Sequence, residues 1–425
     1  MKIVVVGGGW AGCAASVQAA KMGAEVILLE RTDMLLGTGL GGGIMRNNGR
    51  YTAAEELIAL GGGEIINVID RNYLHESISF PGHKHASLYN VATMEPHIRR
   101  FVEKMGVKIH TQTRLVDAET EGGVIKQVVA KDKATGGEVR YEADAFVEAT
   151  GTAGGPANCN KYGNGCAMCV LRCHSFGGRV SLAAKVGVKE MQAVKGGQVG
   201  AFSGSCKLLK ESLDPAIRSE LDEKGVVVAP LPEDRMVKGK LSIKACQQYA
   251  LPEFERNLVL LDTGHAKLMT PYFPLEALRL VPGFENARYE DPYAGGMGNS
   301  VRYIGMAPRD NALKVAGVAN LFCAGEKAGP LVGHTEAICT GVLAGHNAAK
   351  AARKQKTLQL PDSLALGDAI SNVQTQVKTP EGLALKYTFS GSVQFERMKQ
   401  KGIYSVDKKE IAQRVREAGL ENVFN

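Results

Sequence analysis

The chain opens on an unbroken apolar run, Ile3-Val4-Val5-Val6, that stops at three glycines. A β-branched run with no polar alternation fits a strand buried on both faces, as in a parallel sheet. The Ala-rich segment 13–24 carries its polar residues at helical spacing, and EVILLE (25–30) is a second apolar run. Downstream, MEPHIRRFVEKMG (94–106) has a helical pattern and leads into the strand VKIHTQTRLVDAE. ADAFVEATG (143–151) and VANLFCAG (318–325) are further strands that run into glycine, and an Ala/Gly-rich helix follows the second, reaching residue 352. Strands alternating with helices predict an α/β chain with a Rossmann-like domain of the three-layer ββα type. Residues 178–270 break this alternation; strand-like segments such as RNLVLLD predict an inserted substrate domain there. The nucleotide domain then comprises 1–177 and 271–352, with a short helical appendix at 353–425. In that appendix Asp407 and Glu410 have capping-box spacing and Gly419 suits a helix stop.

The first glycine turn, Gly7-Gly8-Gly9-Trp10-Ala11-Gly12, is a G-x-G-x-x-G between a strand and a helix, and Glu30 follows Gly12 by 18 residues at the end of the next strand. Each part has a mechanical reason: Gly7 for the tight turn, Gly9 for close approach of a pyrophosphate, Gly12 for close helix packing, and an acid to accept ribose hydroxyls. The helix N-terminus, with Trp10 and Ala11 in its first turn, offers unpaired N–H groups to the phosphates. This predicts dinucleotide binding. The segments ending in Thr150-Gly151 and Gly325-Glu326, together with this turn, resemble the two-part FAD site of large flavoproteins. The resemblance implies that Glu326 lies by the ribityl or pyrophosphate portion and that the helix starting at His334-Thr335 faces the flavin. A helix N-terminus there favours the negative charge of reduced flavin. The resemblance also brings Arg31, the glycines at 42 and 43, and the backbone around Leu115 to the cofactor.

At 425 residues, with 44% hydrophobic and 22% charged residues, the chain is long enough to bury a large core without disulfides. No apolar run reaches the length of a membrane span, so no membrane partner is expected. The N-terminus reads as a strand rather than a leader, which leads to a cytoplasmic expectation. The net charge of +7 permits an anionic partner such as RNA without demanding one.

Four of the nine cysteines, Cys159, Cys166, Cys169 and Cys173, stand within one short stretch, spaced C-x6-C-x2-C-x3-C. In a reducing compartment such a group binds metal or does redox chemistry sooner than it forms disulfides. The last three match the tail of a bacterial ferredoxin run, which favours a 4Fe–4S cluster. Zinc prefers two separated knuckles, and only one is present. Zinc and redox thiols stay open as alternatives. A cluster beside flavin is a natural pairing, because flavin converts two-electron into one-electron chemistry. The histidines at 75, 83, 85 and 97 include an H-x-H, but they lack a third ligand at matching spacing and read as a surface or substrate loop.

The opening 27 or so residues, GTGLGGGIMRNNGRYTAAEELIALGGG (37–63), LVPGFENARYEDPY and NLFCAGEKAGPLVGHTEAICTGVLAGHNAAK together resemble the GidA/MnmG flavoproteins, and the last block resembles TrmFO. YTFSGSVQFERMKQKGIYSV (387–406) is similar to a segment after their FAD domain. The resemblance covers roughly half the chain, both ends of the FAD domain but not its middle. It implies FAD and, as one function, folate-dependent modification of RNA uridines. Two departures weigh against that function. The glycine-rich stretch lacks the cysteine those families carry, and no cysteine lies between Cys13 and Cys159. The long helical C-terminal extension of GidA is absent from this sequence.

Arg46 and His334 are the candidate catalytic residues: Arg46 to hold a substrate anion, His334 to hold a proton near neutral pH. The leading expectation is an FAD-dependent oxidoreductase coupled to a 4Fe–4S cluster. Its substrate is a small-molecule or macromolecular redox partner, and its electron donor is not specified by any second nucleotide motif. An RNA-modifying flavoenzyme and an electron-transfer subunit are the alternatives, and a homodimer fits any of the three.

Overall fold

The computed structural model describes the chain except for residues 153–172, 196–197, 200–205, 237–238, 240, 242–246, 271–272 and 291–304. At its centre is a five-stranded sheet in the order Leu321–Cys323, Ala145–Glu148, Lys2–Val6, Glu25–Leu29, Lys108–His110. Every neighbouring pair is parallel. The apolar runs read from the sequence are these strands, and Ile3, Val4, Val5, Leu28, Phe146, Val147 and Phe322 are completely buried. In register, Val6 pairs with Glu148 and Glu148 with Cys323, so the fingerprint strand and the late strand flank one shared central strand.

On one side of the sheet the helix Trp10–Lys21 packs against the long helix His334–Ala352. Small residues make this possible. A Cβ at Gly341 would lie 2.3 Å from the Ala11 carbonyl oxygen, and one at Gly345 would lie 2.2 Å from that of Ala15. An antiparallel sheet of Thr113–Glu121, Val124–Asp132 and Glu138–Glu142 adds Leu115, Ile125, Val128 and Tyr141 to the same core. The layered α/β architecture with a Rossmann-like nucleotide fold is the one the pattern predicts.

The second unit has its strands within 178–270, but its core reaches beyond those bounds. An antiparallel sheet, in the order Cys206–Leu208, Ala266–Leu268, Asn257–Asp262, Val226–Pro230, has its own apolar cluster running from Cys206 to Tyr289. The boundary expected at 270 falls inside this cluster, because Phe273, Leu278, Val281 and Phe284 fill it. The hairpin Tyr73–Phe80 and His83–Tyr89, with Ile44–Met45, also joins this unit: Ile44, Phe80, Ala86 and Leu88 pack with Phe254, Val259 and Leu261. Residues 353–425 are no loose appendix either. Leu366, Ile370, Val373, Met398, Val415 and Phe424 are buried in the main core. Asp407 caps the helix Lys408–Glu417 by accepting from the N–H groups of Lys409 and Glu410, and Gly419 follows at φ 68°.

Candidate functional site

The glycine turn has the geometry its spacing predicts. Gly7 sits at φ 104°, where a side chain would be strained and its Cβ would meet the Ala149 carbonyl oxygen at 2.5 Å. A Cβ on Gly12 would lie 1.8 Å from the Gly7 carbonyl oxygen. Gly9 differs from both: its Cβ direction is open, with only the Leu36 oxygen at 3.9 Å. That opening lies at the N-cap of the helix Trp10–Lys21, with Trp10 and Ala11 in its first turn. Glu30 is buried at the strand end and accepts from the N–H groups of Gly8 and Thr32, both at 2.8 Å. A carboxylate offers about four acceptor directions, so two such bonds leave capacity for hydroxyl donors. Thr113 donates its N–H to the Glu30 carbonyl, which brings the strand holding Leu115 alongside. Arg31, next to Glu30, donates to the Gly177 carbonyl at 2.7 Å.

The second half of the site adjoins the first. Thr150 and Gly151 end the central strand, Gly151 at φ 68° with open space around its Cβ direction. Gly325 stands at φ 65° after the neighbouring strand and packs on Ala11. Glu326 accepts from the Thr152 hydroxyl at 2.9 Å, joining the two strand ends. Gly333, at φ 149°, starts the long helix; a Cβ there would strike both the Glu336 carboxylate and the Arg50 guanidinium.

His334, first residue of that helix, lies flat against the glycine loop. A Cβ on Gly42 would come within 1.6 Å of its ring, and Gly43 abuts Thr263 at φ 81°. His334 Nδ1 is 3.4 Å from the Tyr89 hydroxyl, which donates to the Gly39 carbonyl at 2.7 Å. Trp10 completes an aromatic corner, its ring centroid 5.8 Å from Tyr89 and 6.1 Å from His334. Burial holds the Tyr89 phenol above its ordinary range. Trp10 Nε1 and Thr335 Oγ1 are buried without a hydrogen-bond partner among the described residues. Orphaned buried donors are costly and call for an occupant. These two stand at the starts of the two helices that the cofactor fingerprint uses. Together with the open Gly9 cradle, they show that the residues fit FAD.

Arg46 has a different role from the one expected. Its guanidinium donates to Asp70 at 2.5 and 3.0 Å and to Glu55 at 2.5 Å, and it lies over the Tyr51 ring. Committed to two carboxylates, it braces the fold around the glycine-rich segment instead of presenting a fork to substrate. Arg50 is likewise internal: it pairs with Glu336 at 3.0 Å, both buried, and reaches Asn47 and Thr388. The segment resembling a post-FAD region is part of this brace, since Val332 and Tyr387 bond backbone to backbone and Phe389 N–H donates to Glu336.

The histidines of this group go to separate partners. His75 pairs with Asp262 at 2.8 Å, and His83 stacks on Phe80 and meets Tyr249 at a tilt, with Asn47 on its Nδ1. Among the described residues no group of three ligating side chains could hold a metal ion. Cys173 is buried at the start of the short helix Cys173–Phe176, while Cys159, Cys166 and Cys169 lie outside the described residues. Cys13, Cys323 and Cys339 line the nucleotide fold, and burial pushes all three thiols up, Cys13 to about 12.

Sequence reasoning missed Tyr89, Lys267 and the cluster around Lys327. Lys267 donates to the carbonyls of Gly41 and Gly42 at 2.7 and 2.8 Å and so ties the second unit to the glycine loop. Neither lysine has a motif of its own; only the packed chain shows that they are buried.

Two family models match the chain. One, described as FAD dependent oxidoreductase, matches residues 2–154, and the other, glucose inhibited division protein A, matches 238–356. With the site's geometry, the first makes the chain an FAD-dependent oxidoreductase. Within that class it is similar to GidA, in sequence over residues 238–356 and in fold. Aquifex aeolicus GidA superposes with a TM-score of 0.66 at 18% identity, covering 99% of this chain and 73% of that one. A second crystal form gives 0.64 at 17%, covering 100% and 77%. A geranylgeranyl bacteriochlorophyll reductase-like protein from Thermoplasma acidophilum gives 0.51 at 12%, covering 98% of each chain. At these identities the likeness is one of fold. No curated protein matches the chain in sequence. No helix among the described residues is long and apolar enough to cross a membrane.

Proposed function

We propose that this FAD-dependent oxidoreductase exchanges electrons with a 4Fe–4S cluster held by Cys159, Cys166, Cys169 and Cys173, in the service of a redox substrate. The observation that carries the proposal is where the cysteine segment is anchored. Thr152, immediately before it, bonds Glu326 of the FAD site, and Gly177, just after it, accepts from Arg31 beside Glu30. Both ends of the segment therefore attach to the cofactor's own residues. FAD would be held by the Gly7–Gly12 turn, Glu30, Thr150-Gly151, Gly325-Glu326 and the helix start at His334-Thr335. When bound it supplies the exchange between hydride-level and single-electron chemistry. The chain's own part is to exclude water with the Trp10–Tyr89–His334 corner, to favour negative charge at the helix start, and to hold a proton on His334. The Tyr89 oxygen is placed to accept from a protonated Nδ1, which would leave Nε2 for the substrate side.

A second reading, folate-dependent modification of RNA uridines, draws support from the match of residues 238–356 to the GidA model. Thiol chemistry of the kind those families use finds no activated group in Cys13, Cys323 or Cys339, since a thiol held that far up is protonated at neutral pH. Anaerobic purification with iron, sulfide and FAD quantitation tests the proposal. Roughly four irons and four sulfides per chain support it. Flavin without iron or sulfide overturns the cluster, and co-purifying RNA with salt-sensitive rebinding then favours the second reading.

A further inference from the structure

Lys327 is completely buried, one residue past Glu326. Its ammonium donates to Ser181 Oγ at 2.5 Å and to the Gly305 carbonyl at 2.9 Å, lies 3.3 Å from Glu148, and pairs directly with Glu190. Glu148 is also completely buried. Its carboxylate accepts from the Thr150 hydroxyl and from the N–H groups of Leu182 and Ala183, each at 2.8 Å. Arg179 reaches Thr150 Oγ1 at 3.3 Å and Glu190 at 3.7 Å. Burying this many charges costs free energy, and removing one partner of such a cluster costs more.

The arrangement held here is the split cofactor site. Glu148 sits on the central strand, in register with Val6 of the fingerprint strand and Cys323 of the late strand. Thr150-Gly151 follow it directly. Lys327 belongs to the turn Gly325–Ala328 that carries Glu326. One ion pair therefore ties the turn of the late strand to the end of the central one. We infer that Lys327 is a positioning residue for the cofactor, its ammonium clamping the two halves of the FAD site together through Glu148 and Glu190.

Removing the ammonium leaves the buried Glu148 and the part-buried Glu190 with only Arg179 as a nearby described cation. Like charges there separate or take up protons, and either response shifts Thr150-Gly151 or Gly325-Glu326. Burial pushes Lys327 down, to about 7, against the pull of Glu148. Burial alone would raise Glu148, but Lys327 and Arg179 outweigh it and hold the carboxylate below its ordinary range. Glu148 from the central strand, with Glu190 and Arg179 from either side of the helix Leu182–Lys185, are the charged groups facing Lys327 among the described residues. Lys327 therefore gives up its charge at lower pH than an exposed lysine does.

The inference rests on the FAD reading of the site. The test is titration of flavin-stripped, full-length protein with FAD, followed by quenching of flavin fluorescence, for wild type, K327M and K327R. K327M is expected to bind FAD roughly 10–100-fold more weakly, by analogy with the loss when the outer partner of a metal ligand is removed. Wild type is expected to lose affinity between about pH 6 and pH 9, and K327R, whose charge persists, to stay flat. Wild-type affinity in K327M, or a wild-type profile as flat as that of K327R, overturns the inference. If K327M does not fold, the wild-type and K327R profiles decide alone. If wild type itself binds no FAD, the cofactor reading has failed and the clamp with it.

Discussion

Gly9 and Gly12 belong to one motif, yet the structure assigns them opposite consequences on substitution. A methyl group on Gly12 would lie 1.8 Å from the Gly7 carbonyl oxygen and 3.4 Å from the Ala149 Cβ. Ordinary contact between carbon and oxygen needs well over an ångström more than the shorter distance. G12A must therefore push the helix Trp10–Lys21 off the turn, in a core that also carries the packing of Gly341 and Gly345 on that helix. Overpacking of this kind costs about 1–3 kcal/mol. Gly9 has φ −68° and ψ −178°, a backbone that alanine adopts freely, and its Cβ direction is open. G9A should cost at most about 1 kcal/mol, the loss from replacing an N-cap glycine by alanine. In exchange, the methyl group fills the space through which a pyrophosphate reaches the helix N–H groups. Denaturant unfolding of the flavin-free protein and FAD titration of each variant separate the two effects. G12A should show lower stability. G9A should keep its stability and lose FAD affinity tenfold or more, or about 1.4 kcal/mol. If G9A binds FAD as wild type does, the turn does not receive the pyrophosphate and the account of the site is wrong.

Further consequences can be checked in the same protein. R50M leaves the fully buried Glu336 without its ion-pair partner and should cost about 3–5 kcal/mol in urea unfolding, whereas a surface pair such as Lys108–Glu25 should be nearly silent. Glu56 caps the helix Ala365–Gln376 through the N–H groups of Ala365 and Leu366, and burial raises its carboxyl from 4.5 to about 7. A carboxyl raised on folding contributes stability that is complete below about pH 4.5 and lost as pH rises through about 7, at most of order 3 kcal/mol. E56Q should remove that pH dependence. The difference between the two profiles is the readout, because His346, held near 4 chiefly by burial, acts in the opposite direction. Cys13 should resist alkylation at neutral pH until the protein unfolds, since its thiol is held at about 12; reaction in the native state at the rate of a free thiol would contradict that environment.

The parallel sheet was legible because its strands are buried on both faces and read as continuous apolar runs; Ile3–Val6 and Ala145–Glu148 need no tertiary information. The glycine turn was legible because each glycine answers a local steric demand. The second unit was not. Its four strands all lie between 206 and 268, yet the distant hairpin at 73–89 packs against them, and nothing local in YLHESISF announces that Phe80 will meet Phe254. Arg46 was misassigned for a related reason: an arginine beside a glycine-rich loop reads as an anion binder, and its partner Asp70 lies 24 residues away on another element. Lys327 stayed hidden because burial of a charged residue is a property of packing alone. The C-terminal helices read as an appendix because their polar faces dominate the composition, although Ile411 and Val415 fall on one face and are buried.

The most direct test of the central claim is an anaerobic reductive titration of the purified full-length protein, followed by absorbance. FAD coupled to one 4Fe–4S cluster takes up roughly three electrons per chain, about two at the flavin and one at the cluster, in phases with distinct spectra. Uptake of about two electrons in the flavin bands alone would leave the oxidoreductase standing and remove the cluster. Absence of any flavin signal would contradict the account at its root.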